Sequence, residues 1–272
     1  MLRTRVITAL VMLAIMLALF SLNSFPVIAI AATCMFAAAS WESFRLFGSK
    51  HPEVGAAIWA AAFAFLAYTS HASDVAMLFA VCVAIWVVRL TPALAIGLPP
   101  LGSIPNRLLT MIYGVSILGC FLAMLVLYKH SVIYLMSVMA IVWIADIGAY
   151  FSGKAFGKRK LAPTISPGKS WEGAIGGWVT VLALTATSTT LPLFHDTFAV
   201  RLQERFGWTV FVAAMTLIVA ASIVGDLFES LLKRRAGAKD SSKLLPGHGG
   251  ILDRIDALIP VLPLAVLIGF WL

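Results

Sequence analysis

Residues 239–256, KDSSKLLPGHGGILDRID, gather three aspartates, three basic side chains and a histidine between two apolar segments. Lysine and arginine bind phosphate oxygens, and arginine can do so through two parallel hydrogen bonds. Glycines let the backbone turn sharply and approach a ligand closely. These residue types predict a phosphate-binding site. Its candidate residues are Lys233, Arg234, Lys239, Lys243, His248, Gly249, Gly250 and Arg254.

Two pairs of carboxylates lie before this stretch and at its C-terminal end. Asp226 and Glu229 lie three residues apart in apolar helical sequence, and Asp253 and Asp256 repeat that spacing where the last apolar segment begins. An unpaired charge in a membrane helix costs about 2.5–3.5 kcal/mol, so these acids need partners. For Glu229 and Asp256, a salt bridge or a helix cap is an equally good explanation. Asp226 and Asp253, with Asp256 as a third ligand, predict a site for Mg²⁺, which takes one or two protein carboxylates and binds substrate phosphates.

A second basic segment, SPGKSWEG at 166–173, contains Lys169 and Ser170. It is not a P-loop, because that motif requires glycine where this chain has Pro163, and no strand is expected before it. It predicts a turn and then a helix capped by Ser170. The exposed N-terminus of this helix beside Lys169 would attract phosphate; an ordinary capped helix entry is the alternative. In the preceding helix, Asp146 and Tyr150 share one face, and Gly148 and Gly153 permit close helix packing or close approach of a ligand.

The rest of the sequence is that of a membrane protein. Of 272 residues, 61 % are hydrophobic and 12 % charged, with a mean hydropathy of +0.98, whereas soluble domains average about 25 % charged residues. Cys34, Cys82 and Cys120 fall inside apolar blocks and are expected to be buried thiols. The N-terminal MLRTR and the apolar run after it have the shape of a signal peptide, but no clear cleavage site follows, which favours a retained first helix.

The predicted fold class is all-α, a polytopic transmembrane bundle of about nine helices. The predicted spans are 5–21, 25–41, 54–69, 74–89, 108–128, 132–152, 173–192, 208–232 and 255–272. With a cytoplasmic N-terminus and the C-terminus on the opposite face, 17 of the 20 Lys and Arg residues lie on the cytoplasmic side, as the positive-inside rule favours. We expect 1–130 to form a hydrophobic multi-span region, and 131–272 a catalytic region with cytoplasmic loops 153–172 and 233–254.

The net charge of +8 is explained by this topology and by attraction to anionic lipid head groups, so no nucleic-acid partner is expected; a phosphate-rich substrate is the alternative explanation. The segment 193–207 carries Phe194, Phe198, Leu202 and Phe206 at helical spacing. It is expected to lie on the opposite membrane surface as an amphipathic stretch.

An ordered set of positions in the last part of the chain carries a family resemblance. The positions are Ser230, Lys233, Arg234, Lys239, Asp240, Ser242, Leu245, Pro246, His248, Gly249, Gly250, Asp253, Arg254 and Asp256. In this order they resemble the C-terminal motif of the CDP-diacylglycerol synthase family, phosphatidate cytidylyltransferase. Residues 143–177 are similar to the central region of that family, whereas the first 140 residues resemble it only as a hydrophobic multi-span region.

The resemblance implies transfer of a cytidylyl group from CTP to phosphatidic acid, giving CDP-diacylglycerol and pyrophosphate, in phospholipid biosynthesis. It implies Mg²⁺ dependence, leaves a second metal ion open, and suggests a homodimer in a bacterial-type cytoplasmic membrane, with the active site facing the cytoplasm. Asp226, Asp253, Lys239 and Arg254 are then the expected catalytic residues. Asp240 joins the substrate-binding residues, and Asp146 is either a further group around the metal or a partner for the nucleotide.

Two other interpretations compete with this one. A CTP-dependent kinase of a lipid alcohol shares the general plan, but the complete C-terminal motif argues against it. A cation or proton transporter would use Asp146, Asp226 and Glu229 as an intramembrane relay. The acids cluster toward one face, however, and no paired repeat halves are visible in the sequence.

Overall fold

The computed structural model describes residues 2–70 and 72–270, and each predicted span corresponds to a helix there. The last two residues of the predicted span 255–272 lie outside the described residues. The all-α membrane fold is therefore confirmed. The helices are α1 (Leu2–Ser21), α2 (Phe25–Leu46), α3 (Pro52–Thr69), α4 (Ala72–Ile85), α5 (Thr91–Ile96), α6 (Ile104–His130), α7 (Val132–Phe156), α8 (Trp171–Ser188), α9 (Phe198–Arg235), α10 (Leu252–Ile255) and α11 (Leu258–Gly269). A π-helical turn, Trp86–Leu90, joins α4 to α5.

In the part of the chain that the structure describes, six helical segments are long and apolar enough to cross a membrane. They are Phe25–Leu46, Pro52–Thr69, Val75–Ile96, Ile104–His130, Val132–Phe156 and Phe198–Arg235. The side of the membrane that each helix end meets stays a prediction, as does the division of the chain at residue 130.

Local sequence sets several helix starts. Proline occupies the first turn of α2, α3 and α6, where its missing N–H costs no helical hydrogen bond. The Ser103 hydroxyl accepts a hydrogen bond from the Asn106 amide at 3.2 Å, and the Ser131 hydroxyl accepts one from the Ile133 amide at 3.1 Å. These serines act as N-caps of α6 and α7.

The structure corrects four details of the sequence interpretation. Helix α2 continues to Leu46, five residues past its predicted end. Residues 160–170 form an antiparallel hairpin of β1 (Lys160–Ala162) and β2 (Ser166–Ser170), which the sequence hides because both strands are short and lack hydrophobic alternation. Cys34 is exposed rather than buried, because it lies on the outer side of α2.

The fourth correction concerns 193–207, which is not simply a surface segment. Pro192–Phe194 form a 3₁₀ turn and α9 begins at Phe198. Phe198 and Leu202 are fully buried, and the Phe198 ring packs edge-on against Tyr134 of α7. Only the part of this amphipathic face near Phe194 and Phe206 is exposed. Gly207, with φ of 76°, then breaks α9 into two helical parts, a conformation that favours glycine.

One hydrophobic core extends from α2 to α11. Helix α6 lies at its centre and packs against α2, α4, α7 and α11. The Tyr113 ring of α6 lies 5.1 Å from Phe228 of α9 and 6.3 Å from Trp86. The N-terminal helices therefore support α9, which carries several of the candidate site residues.

Glycines bring α7 and α8 into close contact. A methyl group added at Gly148 would meet the Gly177 Cα at 3.1 Å, and one at Gly173 would meet the Gly153 Cα at 3.3 Å. Small residues allow such close helix packing in membranes, and the sequence predicted it at Gly148 and Gly153. The consequence is that the segment of α7 next to Asp146 lies against Gly177 of α8, while the C-terminal end of α7 lies against the start of α8.

The C-terminal end of α9 is fixed by Arg235. Its guanidinium donates to the Asn106 side-chain oxygen at 2.8 Å and to the Pro99 carbonyl at 3.0 Å. It also lies 5.0 Å from the centre of the Phe47 ring, a cation–π distance. Three segments of the N-terminal half thus hold the point at which α9 passes into the loop of residues 236–251, which we call the basic loop.

Candidate active site

A cavity of about 400 Å³ opens between α7, α8, α9 and the β1–β2 hairpin. Lys169 Nζ lies 2.6 Å from Asp226 Oδ2, and the Ser230 hydroxyl donates to Asp226 Oδ1 at 3.3 Å. Asp146 lines the same cavity. Much of the remaining wall is made of alanine, glycine and valine. The cavity therefore combines a charged pair with apolar walls.

The hairpin and the start of α8 position Lys169. The Ser170 hydroxyl accepts from the Gly173 amide at 3.1 Å, so the predicted N-cap is confirmed. The Glu172 carboxylate accepts from the Lys158 amide at 3.1 Å and from Arg159 Nε at 3.1 Å. The amides of Glu172 itself and of Lys158, together with the Arg159 side chain, lower the pKa of Glu172 to about 2.

Lys233 joins two carboxylates at the end of α9. Its Nζ forms an ion pair with Glu229 one turn earlier and lies 2.6 Å from Asp253 Oδ1. The Glu229 side chain is 0 % exposed and that of Asp253 6 % exposed. Buried charges require such pairing. Lys233 is thus held within the protein, and its role as a substrate ligand stays a prediction.

Asp253 organises the base of the basic loop. Its Oδ2 accepts from the Ser241 amide, the Ser241 hydroxyl and the Gly250 amide, each at 2.8 Å. Burial raises the pKa of Asp253, but the hydrogen bonds from Lys233, Gly250 and Ser241 outweigh it and bring the pKa below its ordinary value of 3.8. Asp253 is therefore a carboxylate that joins the two ends of the loop.

The loop between those ends forms a tight turn. The Leu245 amide donates to the Gly249 carbonyl at 2.8 Å, and the His248 amide donates to the Leu245 carbonyl at 2.9 Å. Gly247 and Gly249 have φ of 78° and 83°, values that side chains disfavour. This explains why glycine occupies both positions.

A second cavity of about 690 Å³ lies at this turn. Its lining residues include Lys239, Asp240, Lys243, His248, Gly249 and Arg254. The side chains of Lys239, Lys243 and Arg254 are exposed, so their charges are available to a ligand. The end of α9 lies near both cavities: Asp226 lines the first, and Lys233, about two turns later, binds Asp253, the neighbour in sequence of Arg254 in the second.

The carboxylate oxygens of the site are suitable ligands for a hard divalent cation. A methyl group at Gly225 would collide with the Asp256 carbonyl and approach the Pro260 ring to 2.9 Å, so Asp256 packs against the turn of α9 that carries Asp226. Across 2–70 and 72–270, no three His, Cys, Asp or Glu side chains are grouped closely enough to hold a metal by themselves. One or two protein carboxylates are nevertheless what Mg²⁺ usually takes from a protein.

The structure thus separates the predicted site residues into groups. Asp146, Lys169 and Asp226 line the first cavity, while the residues of the turn and Arg254 surround the second. Arg234 lies elsewhere: its Nε donates to the Ile165 carbonyl in the hairpin at 3.3 Å. Gly250 is buried at the loop base. Their assignments as catalytic, substrate or metal ligands stay predictions.

The sequence interpretation missed Glu42. This residue lies in the last turn of α2 and is fully buried. Its carboxylate accepts hydrogen bonds from the side chains of Ser241 and Ser242. The sequence signal for a buried functional acid is a glutamate next to an apolar segment. Because the predicted span ends at residue 41, Glu42 falls outside the predicted helix, whereas the structure continues α2 to Leu46.

The fold and the two cavities define a multi-span helical membrane protein with carboxylates and cations gathered at the loop that follows α9. The profile of a family described as "Cytidylyltransferase family" matches residues 3–271. The chain therefore belongs to the cytidylyltransferase family.

Individual relatives agree with this assignment. A phosphatidate cytidylyltransferase of Pseudomonas aeruginosa is 40 % identical over 267 residues, which cover 97 % of this chain and 95 % of the relative. Enzymes of the same name from Haemophilus influenzae and Brucella suis are 51 % and 47 % identical over 134 and 133 residues. Those two alignments span about half of this chain and 44 % of each relative.

Proposed function

We propose that the protein is a phosphatidate cytidylyltransferase, which converts CTP and phosphatidic acid to CDP-diacylglycerol and pyrophosphate. Membership of the cytidylyltransferase family and the Pseudomonas relative that it matches over nearly its full length support this activity. The structural observation that carries the proposal is the Lys169–Asp226 pair in a cavity between α7, α8 and α9. A lipid phosphate and a soluble nucleotide can meet only where such a cavity reaches the membrane surface.

The two cavities suggest a division of labour between the substrates. The first has largely apolar walls and two lysines, Lys154 and Lys169, the second of which is paired with Asp226; this suits a lipid with a single phosphate group. The second carries exposed Lys239, Lys243 and Arg254, which suits the triphosphate of CTP. Both substrates are anions, so the main obstacle to reaction is their mutual repulsion. Cations on both sides of the reacting atoms reduce it.

The reaction is an in-line displacement. An oxygen of the lipid phosphate attacks the α-phosphorus of CTP, and the new P–O bond replaces the bond to the oxygen that bridges to the β-phosphorus. Pyrophosphate leaves with that electron pair, and Lys239, Lys243 and Arg254 stabilise its charge. A phosphate monoester has its second pKa near 6, so it is already nucleophilic at neutral pH and needs no strong general base.

Mg²⁺ belongs to the proposal because one or two of the three aspartates Asp226, Asp253 and Asp256 would provide the oxygen ligands that it prefers, with substrate phosphates and water completing its coordination. When bound, it would supply positive charge to the phosphate oxygens. To bind the ion, Asp226 would give up its contact with Lys169, and Asp253 would give up its contact with Lys233. A second metal ion, a homodimer and a cytoplasmic active site are further parts of the proposal.

The test uses the purified protein in mixed micelles with phosphatidic acid, Mg²⁺ and CTP labelled at either the α- or the γ-phosphorus. We expect α-label to enter the lipid product and γ-label to appear in pyrophosphate. Asp226→Asn and Asp253→Asn should each reduce turnover by at least about a hundredfold, because removing one charge-stabilising group at a transition state costs about that much. Omission of Mg²⁺ should abolish turnover.

Other outcomes would reject parts of the proposal. Transfer of γ-label to an added lipid alcohol would identify a kinase instead. Cation flux in vesicles without label transfer would identify a transporter. Full activity of Asp226→Asn or Asp253→Asn would remove that aspartate from the catalytic group.

A further inference from the structure

The buried carboxylate of Glu42 contacts the basic loop at both of its ends. At the first end it accepts a hydrogen bond from the Ser242 hydroxyl and lies 3.1 Å from the Ser241 hydroxyl, whose one proton it shares with Asp253. At the second end it accepts from the amides of Ile251 at 3.1 Å and Leu252 at 2.6 Å. One side chain of α2 thus fastens two segments of the loop to each other.

The neighbouring carboxylate strengthens this arrangement. The Ser241 hydroxyl lies within hydrogen-bond distance of Glu42 Oε2 and of Asp253 Oδ2, at 3.1 and 2.8 Å. Gly250 leaves room for Glu42, because a methyl group there would collide with the Glu42 carboxylate and the Ser241 hydroxyl, and Gly249 leaves room for Asp253 in the same way. The loop base is therefore built around two carboxylates, one from α2 and one from the loop itself.

Two more contacts from the N-terminal half hold the same loop. The Arg45 guanidinium, one turn after Glu42, donates to the Ser241 carbonyl and lies 5.0 Å from the centre of the Trp41 ring. The Thr8 hydroxyl of α1 donates to the Pro246 carbonyl at the turn, at 2.8 Å. The base of the loop is thus attached to α2 and its turn to α1.

We propose that Glu42 is a positioning residue for the cytidylyl transfer, holding the loop base so that Lys239, Lys243 and Arg254 face the second cavity. This inference rests on the proposed function. The residues that contact Glu42 are Ser241, Ser242, Ile251 and Leu252. Lys239, Lys243 and Arg254 each lie within two residues of one of them in the chain. Without these hydrogen bonds the loop base separates, the cations no longer converge on one polyanion, and the affinity for CTP falls. Glu42 itself is too deeply buried to touch the nucleotide.

The test compares Glu42→Gln with Glu53→Gln, a control whose side chain is exposed on α3. Glutamine keeps the shape of glutamate but presents an amide N–H to groups that are themselves donors. Hydrogen bonds to a charged group are worth about a tenfold to hundredfold change in an equilibrium. We expect Glu42→Gln to raise the KM for CTP by about tenfold or more, with a smaller change in kcat and in the KM for phosphatidic acid. The control should retain wild-type values.

A second measurement does not depend on enzymatic activity. Trypsin cleaves after Lys239 and Lys243, which are exposed on the loop, and we expect Glu42→Gln to accelerate this cleavage at least about tenfold. If Glu42→Gln does not fold, Ser242→Ala removes one donor and leaves the carboxylate bound by the others. That variant should shift the KM for CTP and the cleavage rate in the same direction by a smaller factor.

The outcomes separate this inference from the proposed function. If the wild type lacks cytidylyl transfer, the proposed function fails, and the trypsin rates still test the attachment of the loop. If transfer is present but Glu42→Gln keeps the wild-type KM for CTP, the positioning role is refuted, whatever happens to cleavage. An unchanged cleavage rate would refute the attachment itself. A fall in thermal stability with unchanged kinetics of the folded fraction would make Glu42 purely structural.

Discussion

Replacing Lys233 by methionine removes the cation that lies between two buried carboxylates. The Lys233 side chain is 13 % exposed, Glu229 is 0 % exposed and Asp253 is 6 % exposed. Methionine fills a similar volume but leaves both acids without their shared positive charge. Removing one partner of a buried ion pair costs about 3–5 kcal/mol, because the remaining charge is neither hydrated nor paired.

The assay is thermal unfolding of the detergent-purified variant. We expect Lys233→Met to lower the unfolding midpoint by an amount on the order of 10 °C, which corresponds to a loss of about 3–5 kcal/mol. Lys158→Met is the matched control, because the Lys158 side chain is exposed and its loss should change stability by less than about 0.5 kcal/mol. The double variant Lys233→Met with Glu229→Gln should recover at least half of the loss, because glutamine carries no charge to leave unpaired.

Two results would refute this reasoning. If Lys233→Met unfolds at the same temperature as Lys158→Met, the lysine does not compensate buried charge. If Glu229→Gln gives no recovery in the Lys233→Met background, the cost does not arise from the unpaired carboxylate of Glu229, and packing or Asp253 alone must explain it.

Two further predictions follow from other contacts. Gly225→Ala adds a methyl group that pushes the Asp256 backbone away from α9. We expect the rate of cytidylyl transfer to fall by more than the stability cost of overpacking, about 1–3 kcal/mol, explains. An unchanged rate of transfer would show that this spacing is unimportant. Glu172→Gln should accelerate tryptic cleavage after Arg159, since the amide binds the hairpin amides less well. The pKa of Glu172 is lowered from 4.5 to about 2, so the ionised carboxylate supports the hairpin fully above pH 4.5 and loses this effect as the pH falls toward 2. Equal cleavage rates of the wild type and Glu172→Gln at neutral pH would contradict this role of Glu172.

Several parts of the site were predictable because they depend on short-range sequence. The Ser170 cap requires only a residue three positions away, and the Lys233–Glu229 ion pair requires only the spacing of one helical turn. The glycines of α7 predicted close packing without naming α8 as the neighbour. The β1–β2 hairpin escaped prediction because Glu172 and the Arg159 carbonyl fix it through contacts that no periodicity reveals.

The sequence by itself determined that this chain crosses a membrane as helices and carries an ordered polar motif of the cytidylyltransferase family. Both properties are local, since the cost of inserting a segment is a sum over its own residues. Tertiary structure alone decided that Lys169 meets Asp226 and that Glu42 binds the loop some 200 residues later in the chain. Such partners are chosen by how helices pack, because a buried charge is stabilised by whichever donors the fold brings within hydrogen-bond distance, however far apart they are in sequence.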